Sequence, residues 1–485
     1  MSDKKPTQVK KIDNPPDIKK ATKELLAMIK KELGREFDFS NFILNSPVFF
    51  DENSLWWAWN KNLFSWKIVD EIFILNSFQD FFNLEAGQIY KFKNFIITIL
   101  RLNSRRNKPE ELTPYCIQFK NKIFNLKTEQ EFIATSKYFL TSPIPYELSK
   151  DSETPIIDKL FTDWVGETWK PTLYEVLAYS CLREQFLQSI IALTGAGSNG
   201  KGTFQNLLIK FLGRENCVSS NIKSLINRSF ETSALYKKLL CVVGEVDSHD
   251  LTNTNLIKQF TGEDLIRYEF KGKTPFSEFS PTTFIIATNS LPLTPDKSDG
   301  FYRRFLIIDF PNQFIINREL LNQIPELEFN NLTRKIINIL LSLIKKQEFT
   351  NSGTIEERRS RYEERSNPLM MFVSESYDET GTGCVKLREF SKKYNLFLKS
   401  KKLRQKTVNE VGKDLRIEGF EVSPRKYRDE QGEIVDSAKS IIGISVKRSE
   451  LHGENTGSLG SQENVGTTQT TGINGGSIIK VGFKK

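Results

Sequence analysis

Apolar residues change their spacing several times along the chain, and each change predicts an element. In "SLWWAWNKNLFSWKIV" large apolar residues alternate on either side of Asn60-Lys61-Asn62, a period of two broken by turn formers, which predicts a β-hairpin. Helical segments follow, then a short strand region at "YCIQFKNKIFNL". From about Pro155 to Phe310 short apolar runs alternate with helical stretches, which predicts an α/β layer. Within it "QSIIALT" reads as a buried strand, and Phe204, Leu207, Leu208, Phe211 and Leu212 fall at helical spacing up to Gly213, a suitable helix end. "KKLLCVVGEVD", "TTFIIATNSLP" and "RRFLIIDF" supply three more strands. "LTRKIINILLSLIKKQ" and "IEERRSRYEER" predict helices, and Asn367-Pro368 marks a boundary. Beyond it Val408, Val411 and Leu415 share one helical face, and a turn at Gln431-Gly432 separates extended segments, a pattern that suits a winged helix.

Composition turns these elements into domains. The first twenty residues are rich in lysine and proline and have little to bury, so 1–20 is expected to be a flexible basic arm, with folded structure opening on Leu25, Leu26, Ile29 and Leu33. An N-terminal helical and hairpin domain is then expected over 21–150, an α/β domain over 151–366 and a winged-helix domain over 367–448. The Gly/Ser/Thr/Asn-rich end, 449–485, reads as a disordered tail. Trp56, Trp57, Trp59 and Trp66 could form a base-stacking platform, but aromatic alternation in a hairpin more often makes core, and core is the reading taken.

Charge and cysteine usage narrow the chemistry. Lys+Arg 69 against Asp+Glu 60 gives a formal +9, which favours an anionic partner. Five widely spaced cysteines without a C-x-x-C pair argue against a disulfide framework or a zinc site, and a reducing, cytoplasmic setting is expected. No apolar run approaches the roughly 18 residues of a membrane span, so no membrane partner is expected. With His249 and His452 as the only histidines, the work falls to carboxylates, lysines and arginines.

"LTGAGSNGKGTF" lies between a predicted strand and a predicted helix, and Gly195, Gly200 and Lys201 satisfy G-x-x-x-x-G-K. The backbone of Gly195, Ala196, Gly197, Ser198, Asn199 and Gly200 can cradle a triphosphate while Lys201 neutralises its outer oxygens, which points to ATP with Mg²⁺. Gly202 occupies the place of the usual metal-ligating hydroxyl, and Thr203, one position later, is expected to reach Mg²⁺ less directly, through water. Glu245 follows an apolar strand and could order an attacking water, with Asp247 sharing the metal shell; a capping or surface acid is the plainer alternative. Asn289 ends another strand and can hydrogen-bond a γ-phosphate without competing for metal. Arg303 and Arg304 suit transition-state charge, or a solvated surface. Lys271-Gly272-Lys273, flanked by Tyr268, Phe270, Phe276 and Phe279, reads as a hairpin tip whose cations suit phosphates, a solvated turn being the alternative. Lys406, Asn409, Lys413 and Arg416 would decorate the exposed side of the second helix of the basic module, with Arg425, Lys426 and Arg428 along its wing. This distribution suits duplex DNA or merely a soluble surface.

In their order, "GAGSNGKGT", "VVGEVD", "IKQFTGEDLIRYEFKGKTPFSEFSPTTFIIATNSLP" and "DGFYRRFLIIDF" resemble the superfamily 3 helicases of the phage/plasmid primase-helicase type, related to the poxvirus primase-helicase. The resemblance spans Ser40 to Arg448 and is strongest from Leu193 to Phe310. It implies an AAA+ type P-loop ATPase core assembled as a homo-oligomer, a hexamer, around single-stranded DNA. It implies that Lys201 and Thr203 hold nucleotide, Glu245 is catalytic and Asn289 senses γ-phosphate. It further implies that Arg304, with Arg303 in reserve, acts on the neighbour's ATP, and that Lys271 and Lys273 contact DNA in the pore. Gly244 departs from the aspartate found there in many ATPases. No stretch before the motor is long enough for the polymerising domain of many relatives, so a separate primase or polymerase is expected as partner. The implied activity is ATP-driven DNA unwinding in replication of a phage, virus, plasmid or other mobile element. The alternatives are an origin-binding or loading protein that uses ATP for assembly, and a P-loop phosphotransferase, which leaves Asn289, the arginine pair and the basic module without a role.

Overall fold

A computed structural model describes residues 23–24, 27, 30–31, 36–195, 197–221, 224–225, 231–244, 254–262, 264–400, 403–428 and 434–446. The expected arm 1–20, the apolar residues Leu25, Leu26, Ile29 and Leu33, and Ala196, Glu245, Asp247, Gln431, Gly432 and the tail 449–485 lie outside the described residues, as does the side chain of Arg428. The chain divides into two compact units, the first ending at Ser366 and the second beginning at Asn367.

The first unit opens with α1 (Phe39–Asn45) and an antiparallel sheet of β1 (Val48–Phe50), β2 (Trp56–Asn60) and β3 (Ser65–Val69). The Asn60 side chain accepts from the N–H groups of Asn62 and Leu63, both at 3.0 Å, and so fixes the turn between β2 and β3. Alternate residues of this sheet serve two cores, because successive side chains on a strand point to opposite faces. Phe50 and Trp56 pack with Phe42, Phe78 and Ile96 from α1, α2 (Glu71–Phe82) and α3 (Ala86–Ser104). Phe49, Trp57 and Trp66 pack with Ile190, Ala192 and Cys241 of the α/β layer. Trp56, Trp57 and Trp66 are buried and Trp59 is half-buried, so the tryptophans are core. A second antiparallel sheet, β4 (Cys116–Phe119), β5 (Lys122–Asn125) and β6 (Gln130–Ile133), sends Ile117, Phe119 and Phe124 into the cluster that holds Leu193 and Phe204. The division expected at 150/151 therefore does not separate two cores.

The helix α4 (Pro155–Tyr179) kinks at Gly166, whose φ of 77° is left-handed, and leads to a five-stranded parallel sheet ordered β13-β7-β12-β9-β8. Its strands are β7 (Ile190–Thr194), β8 (Cys217–Ser220), β9 (Leu240–Val243), β12 (Thr283–Thr288) and β13 (Phe305–Asp309). Helix α5 (Lys201–Leu212) links β7 to β8, while α6 (Asn255–Thr261) and the hairpin of β10 (Leu265–Tyr268) and β11 (Phe276–Phe279) lie between β9 and β12. The central strands are apolar without alternation because both faces are covered. Ile191, Leu193, Ile285 and Ile308 pack against Phe204 and Leu208 of α5 and Ile336 of α8 (Glu326–Lys346). Ala192, Ile286 and Ile307 pack against Trp57, Phe260 and Tyr362, the last from α9 (Ile355–Ser366), with Tyr302 of the short α7 (Asp299–Tyr302) beside them.

The second unit runs α10 (Pro368–Ser376), β14 (Tyr377–Lys386), α11 (Leu387–Ser400), α12 (Val408–Ile417), β15 (Val422–Arg428) and β16 (Ile434–Val446), with an antiparallel sheet ordered β14-β16-β15. Thr407 and Glu410 form a capping box at the start of α12. Val411 and Leu415 are buried, but Val408 is 39% exposed, because it is the first helical residue and stands at the mouth of the helix rather than over the core. Among the described residues no helix is long and apolar enough to cross a membrane.

Candidate functional site

The turn from β7 into α5 has a shape that side chains would block. Gly195 has φ +148°, and a Cβ there would lie 2.1 Å from Asn199 Nδ2 and 2.5 Å from the Phe310 carbonyl; Gly200 has φ +93°, and its Cβ would lie 2.6 Å from the Trp164 ring. Asn199 Nδ2 donates to the Phe310 carbonyl at 3.0 Å, which pins the loop to the chain just past β13. The first N–H groups of α5 open onto the same space, the arrangement in which a helix start receives an anion. Lys201, at the first helical position, donates from Nζ to the Gly195 carbonyl (2.6 Å), Asn199 Oδ1 (3.0 Å) and Asn289 Oδ1 (3.3 Å). The last bond joins two residues 88 positions apart, because β12 pairs with β7 in parallel, Thr288 beside Thr194. These groups line a cavity of about 730 Å³ together with Thr203, Gln205, Asn206, the Val242–Gly244 end of β9, and Ile316, Asn317, Arg318 and Leu321. That volume suits a nucleotide-sized ligand.

Burial pulls the Lys201 ammonium down to about 8. A polyanion arriving beside it favours the charged form, so binding takes up a proton wherever the free protein has released one. We expect nucleotide affinity to hold below about pH 8 and to fall as pH rises above it. Calorimetric titration in buffers of different ionisation enthalpy reads the proton uptake directly. Binding that is flat from pH 7 to pH 9.5 would show that Lys201 does not face the ligand.

The cavity bears on the metal as well. Gly244 lines it, so β9 brings the chain to the site one residue before Glu245, which lies outside the described residues with Asp247. Thr203 lines it too, and a Cβ on Gly202 would meet nothing within 4 Å, so crowding does not explain that glycine. No group of three His, Cys, Asp or Glu that could hold a metal occurs among the described residues. One hydroxyl beside a phosphate site still fits Mg²⁺, which keeps several waters and is held largely by the phosphates it accompanies.

Behind the loop sits an ion pair that sequence reading missed. Asp309, at the end of β13, accepts from Thr194 Oγ1 and, in a two-pronged pair, from Arg365 Nε (3.0 Å) and Nη2 (2.8 Å) of α9. Burial pushes the Asp309 carboxyl up, but the Arg365 and Thr194 bonds outweigh it, and the net direction is down. The Arg365 carbonyl in turn accepts from Leu291 N–H (2.9 Å) and Ser290 Oγ (3.0 Å), the two residues after Asn289. The phosphate-loop strand and the Asn289 turn thus meet at the last turn of α9.

The arginine pair separates. Arg304 is 9% exposed and donates to Thr261 Oγ1 (3.0 Å) and to the Gly300 carbonyl, so its guanidinium is occupied in packing α7 against α6. Arg303 is exposed, with one donor on Gln188 at 2.7 Å. Within the single chain Arg303, and not Arg304, presents its guanidinium outward. Both precede β13, whose Phe305 pairs with Ile190 and Asp309 with Thr194, so they stand at the opposite edge of the sheet from the loop.

The remaining expected cations lie on two other surfaces. Lys271 and Lys273 stand at the tip of the β10–β11 hairpin, where Lys273 N–H donates to the Phe270 carbonyl (3.0 Å) and Gly272 takes φ +75°. Lys271 is exposed and Lys273 half-buried. In the second unit Lys413, Arg425, Lys426 and Asn409 are exposed, and Arg416 donates to the Val422 carbonyl at 3.2 Å. Lys406 precedes α12 and is paired with Asp414 at 2.6 Å, which neutralises it and takes it off the exposed row. Arg318 is a second cavity cation, beside Lys201, that sequence reading did not find; no motif marks the segment in which it lies.

Fold and site together define a mixed α/β protein with a P-loop-like core. Residues 193–304 match a family of unknown function (DUF5906). Over 142 residues the chain is 30% identical to a protein of Acanthamoeba polyphaga mimivirus named "Putative helicase"; the match covers 27% of this chain and 14% of that protein's length. Among solved structures, the apo C-terminal region of NrS-1 (305–718) aligns over 84% of this chain and 98% of its own, with a TM-score of 0.46 and 14% identity. The A form apo structure of that region aligns over 84% and 99%, with a TM-score of 0.42 and 13% identity.

Proposed function

We propose that the chain is an ATP-driven DNA helicase acting in the replication of a phage, virus, plasmid or other mobile element, with an AAA+ type motor that works as a ring on single-stranded DNA. The observation that carries this reading is the Lys201 ammonium, held in a strand–loop–helix phosphate cradle within 3.3 Å of Asn289. Strand order supports it. β12 lies between β7 and β9, so the loop, Asn289 and the approach to Glu245 open side by side along one edge, where a γ-phosphate and an attacking water would meet. Thr203 would hold Mg²⁺ with the phosphates, and the ion would neutralise charge on the outer oxygens. The exposure of Arg303, remote from its own cavity, supports a role on a neighbouring copy in a hexamer, with a separate primase or polymerase as a further partner. The name of the mimivirus relative supports DNA unwinding. The α-β-α-α-β-β order of the second unit, with Lys413, Arg425 and Lys426 exposed, supports a winged helix on duplex phosphates.

Phosphate release measured with and without single-stranded DNA, beside displacement of a forked duplex, tests the reading. Stimulation by DNA and strand displacement are expected. ATP turnover indifferent to DNA would favour a phosphotransferase, and turnover without displacement a loading protein. In the Lys271→Ala/Lys273→Ala variant two phosphate contacts are lost while the cavity is untouched, so basal turnover should persist and both DNA stimulation and unwinding should disappear. Unwinding at the wild-type rate would make the hairpin tip an ordinary solvated turn.

A further inference from the structure

The cavity of about 730 Å³ has room for more than a triphosphate, and its lining is of two kinds. One end is set by the phosphate loop, Lys201, Asn289 and Gly244. The other is walled by Ile316, Asn317, Arg318 and Leu321, from the segment that follows β13. That segment is tied down at three points. Asn312 Nδ2 donates to the Asp163 carbonyl (2.7 Å), Phe314 N–H to the Ser198 carbonyl of the phosphate loop (2.8 Å), and Lys210 Nζ to the Leu321 carbonyl (2.6 Å). Lys210 lies nine residues along α5 from Lys201, a rise of about 13 Å, so Leu321 is held well down the helix from the phosphate cradle. This wall carries two aliphatic side chains, Ile316 and Leu321, where the cradle is polar throughout. Ile316 is 76% exposed although it borders a cavity, and Leu321 is half-buried beside it. Lys201 and Arg318 are the cations among the described lining residues, which include no carboxylate.

We propose that Ile316, Leu321 and Arg318 form a nucleobase subsite, in which the base lies on the two aliphatic side chains with the Arg318 guanidinium against its π face. This rests on the nucleotide reading of the phosphate cradle and assigns the other half of the ligand. A wall of two aliphatic side chains with one cation fits the flat face of a base, which is uncharged and polarisable, and fits a phosphate poorly. Because the wall and the cradle share the Phe314–Ser198 bond, a ligand that touches both fixes their separation.

The experiment compares two ligands that share phosphates and differ in the base. Affinities for the hydrolysis-resistant ATP analogue AMP-PNP and for inorganic tripolyphosphate are measured with Mg²⁺ in wild type, Ile316→Ser, Arg318→Ala and the double variant. Ile316 and Arg318 are exposed, so folding should be retained, and a thermal melt checks this. AMP-PNP affinity is expected to fall roughly two- to fivefold for each single change and about tenfold or more for both, with tripolyphosphate affinity unchanged throughout. Unchanged AMP-PNP binding in the double variant would overturn the subsite. An equal loss for tripolyphosphate would overturn it as well, by placing Arg318 on phosphate. If wild type bound neither ligand, the nucleotide reading itself would fall. If tripolyphosphate bound and Lys201→Ala abolished that binding, a negative result at Ile316 and Arg318 would count against the base subsite alone.

Discussion

Replacing Lys201 with alanine is expected to abolish the proposed nucleotide turnover without unfolding the protein. Among the described residues the ammonium alone bonds the Gly195 carbonyl, Asn199 and Asn289 together, so its loss removes both the charge proposed to face the outer phosphates and the link between loop and strand end. A preorganised donor of this kind is worth about 3–4 kcal/mol in a transition state, and a fall of a hundredfold or more in phosphate release is expected. Stability should move the other way. Burial holds the Lys201 pKa down at about 8, which means that folding disfavours its charged form; that cost is present at neutral pH and is relieved only as pH rises past the folded value. An apolar side chain of similar length, as in Lys201→Met, should therefore melt at the same temperature as wild type or higher, yet be inactive. Full turnover in either variant would remove the phosphate-loop reading.

The Arg365→Ala change is expected to be the most damaging to stability among the residues around the site. Arg365 has only 8% of its side chain exposed, and its two-pronged bond to Asp309 is what keeps that carboxylate ionised against burial. Breaking such a pair by removing one partner costs about 3 kcal/mol or more, since the other charge stays behind. The six tryptophans all precede Ser366, so their fluorescence during urea unfolding reports the first unit alone. Asp309 carries a depressed pKa in the fold, so the pair's contribution is complete above the ordinary aspartate range and is lost as pH falls through the depressed value. Wild type and variant should accordingly converge in stability at acid pH. A gap that stays constant down to pH 2 would mean that Arg365 acts through packing and not through charge.

What could be read from the sequence follows from how local each feature is. The phosphate loop is legible because its glycines answer to backbone demands within six residues, namely φ at Gly195 and Gly200 and the approach of Asn199. The tryptophan hairpin is legible because alternation and an Asn-rich turn are local too. The closure of Lys201 on Asn289 depends on which strands pair, and the residue types suggest the partners without fixing the distance. Arg303 and Arg304 are neighbours entering a strand, so their side chains diverge, one inward and one out; the sequence shows the pair but not which member is buried. The expected domain break near residue 150 fails for a related reason. Alternation in β2 sends Trp56 to one core and Trp57 to another, and no pattern in the hairpin itself names the second. Arg318 and the Asp309–Arg365 pair carry no signal of their own, since an arginine in a loop and an acid ending a strand are ordinary features until the fold shows what each faces.

The parallel register of β7 and β13 has a kinetic consequence. Phe305 sits beside Ile190 and Asp309 beside Thr194, so the exposed Arg303 and the phosphate loop are separated by the full length of the strand, about 17 Å, within a rigid sheet. The strand register holds that guanidinium away from the loop of the same chain. If Arg303 acts at a phosphate loop, as the ring reading proposes, that loop belongs to a neighbouring copy, and the rate of the step depends on how many copies are present. On that reading, turnover per molecule would fall on dilution, whereas nucleotide affinity, set within one chain, would hold constant.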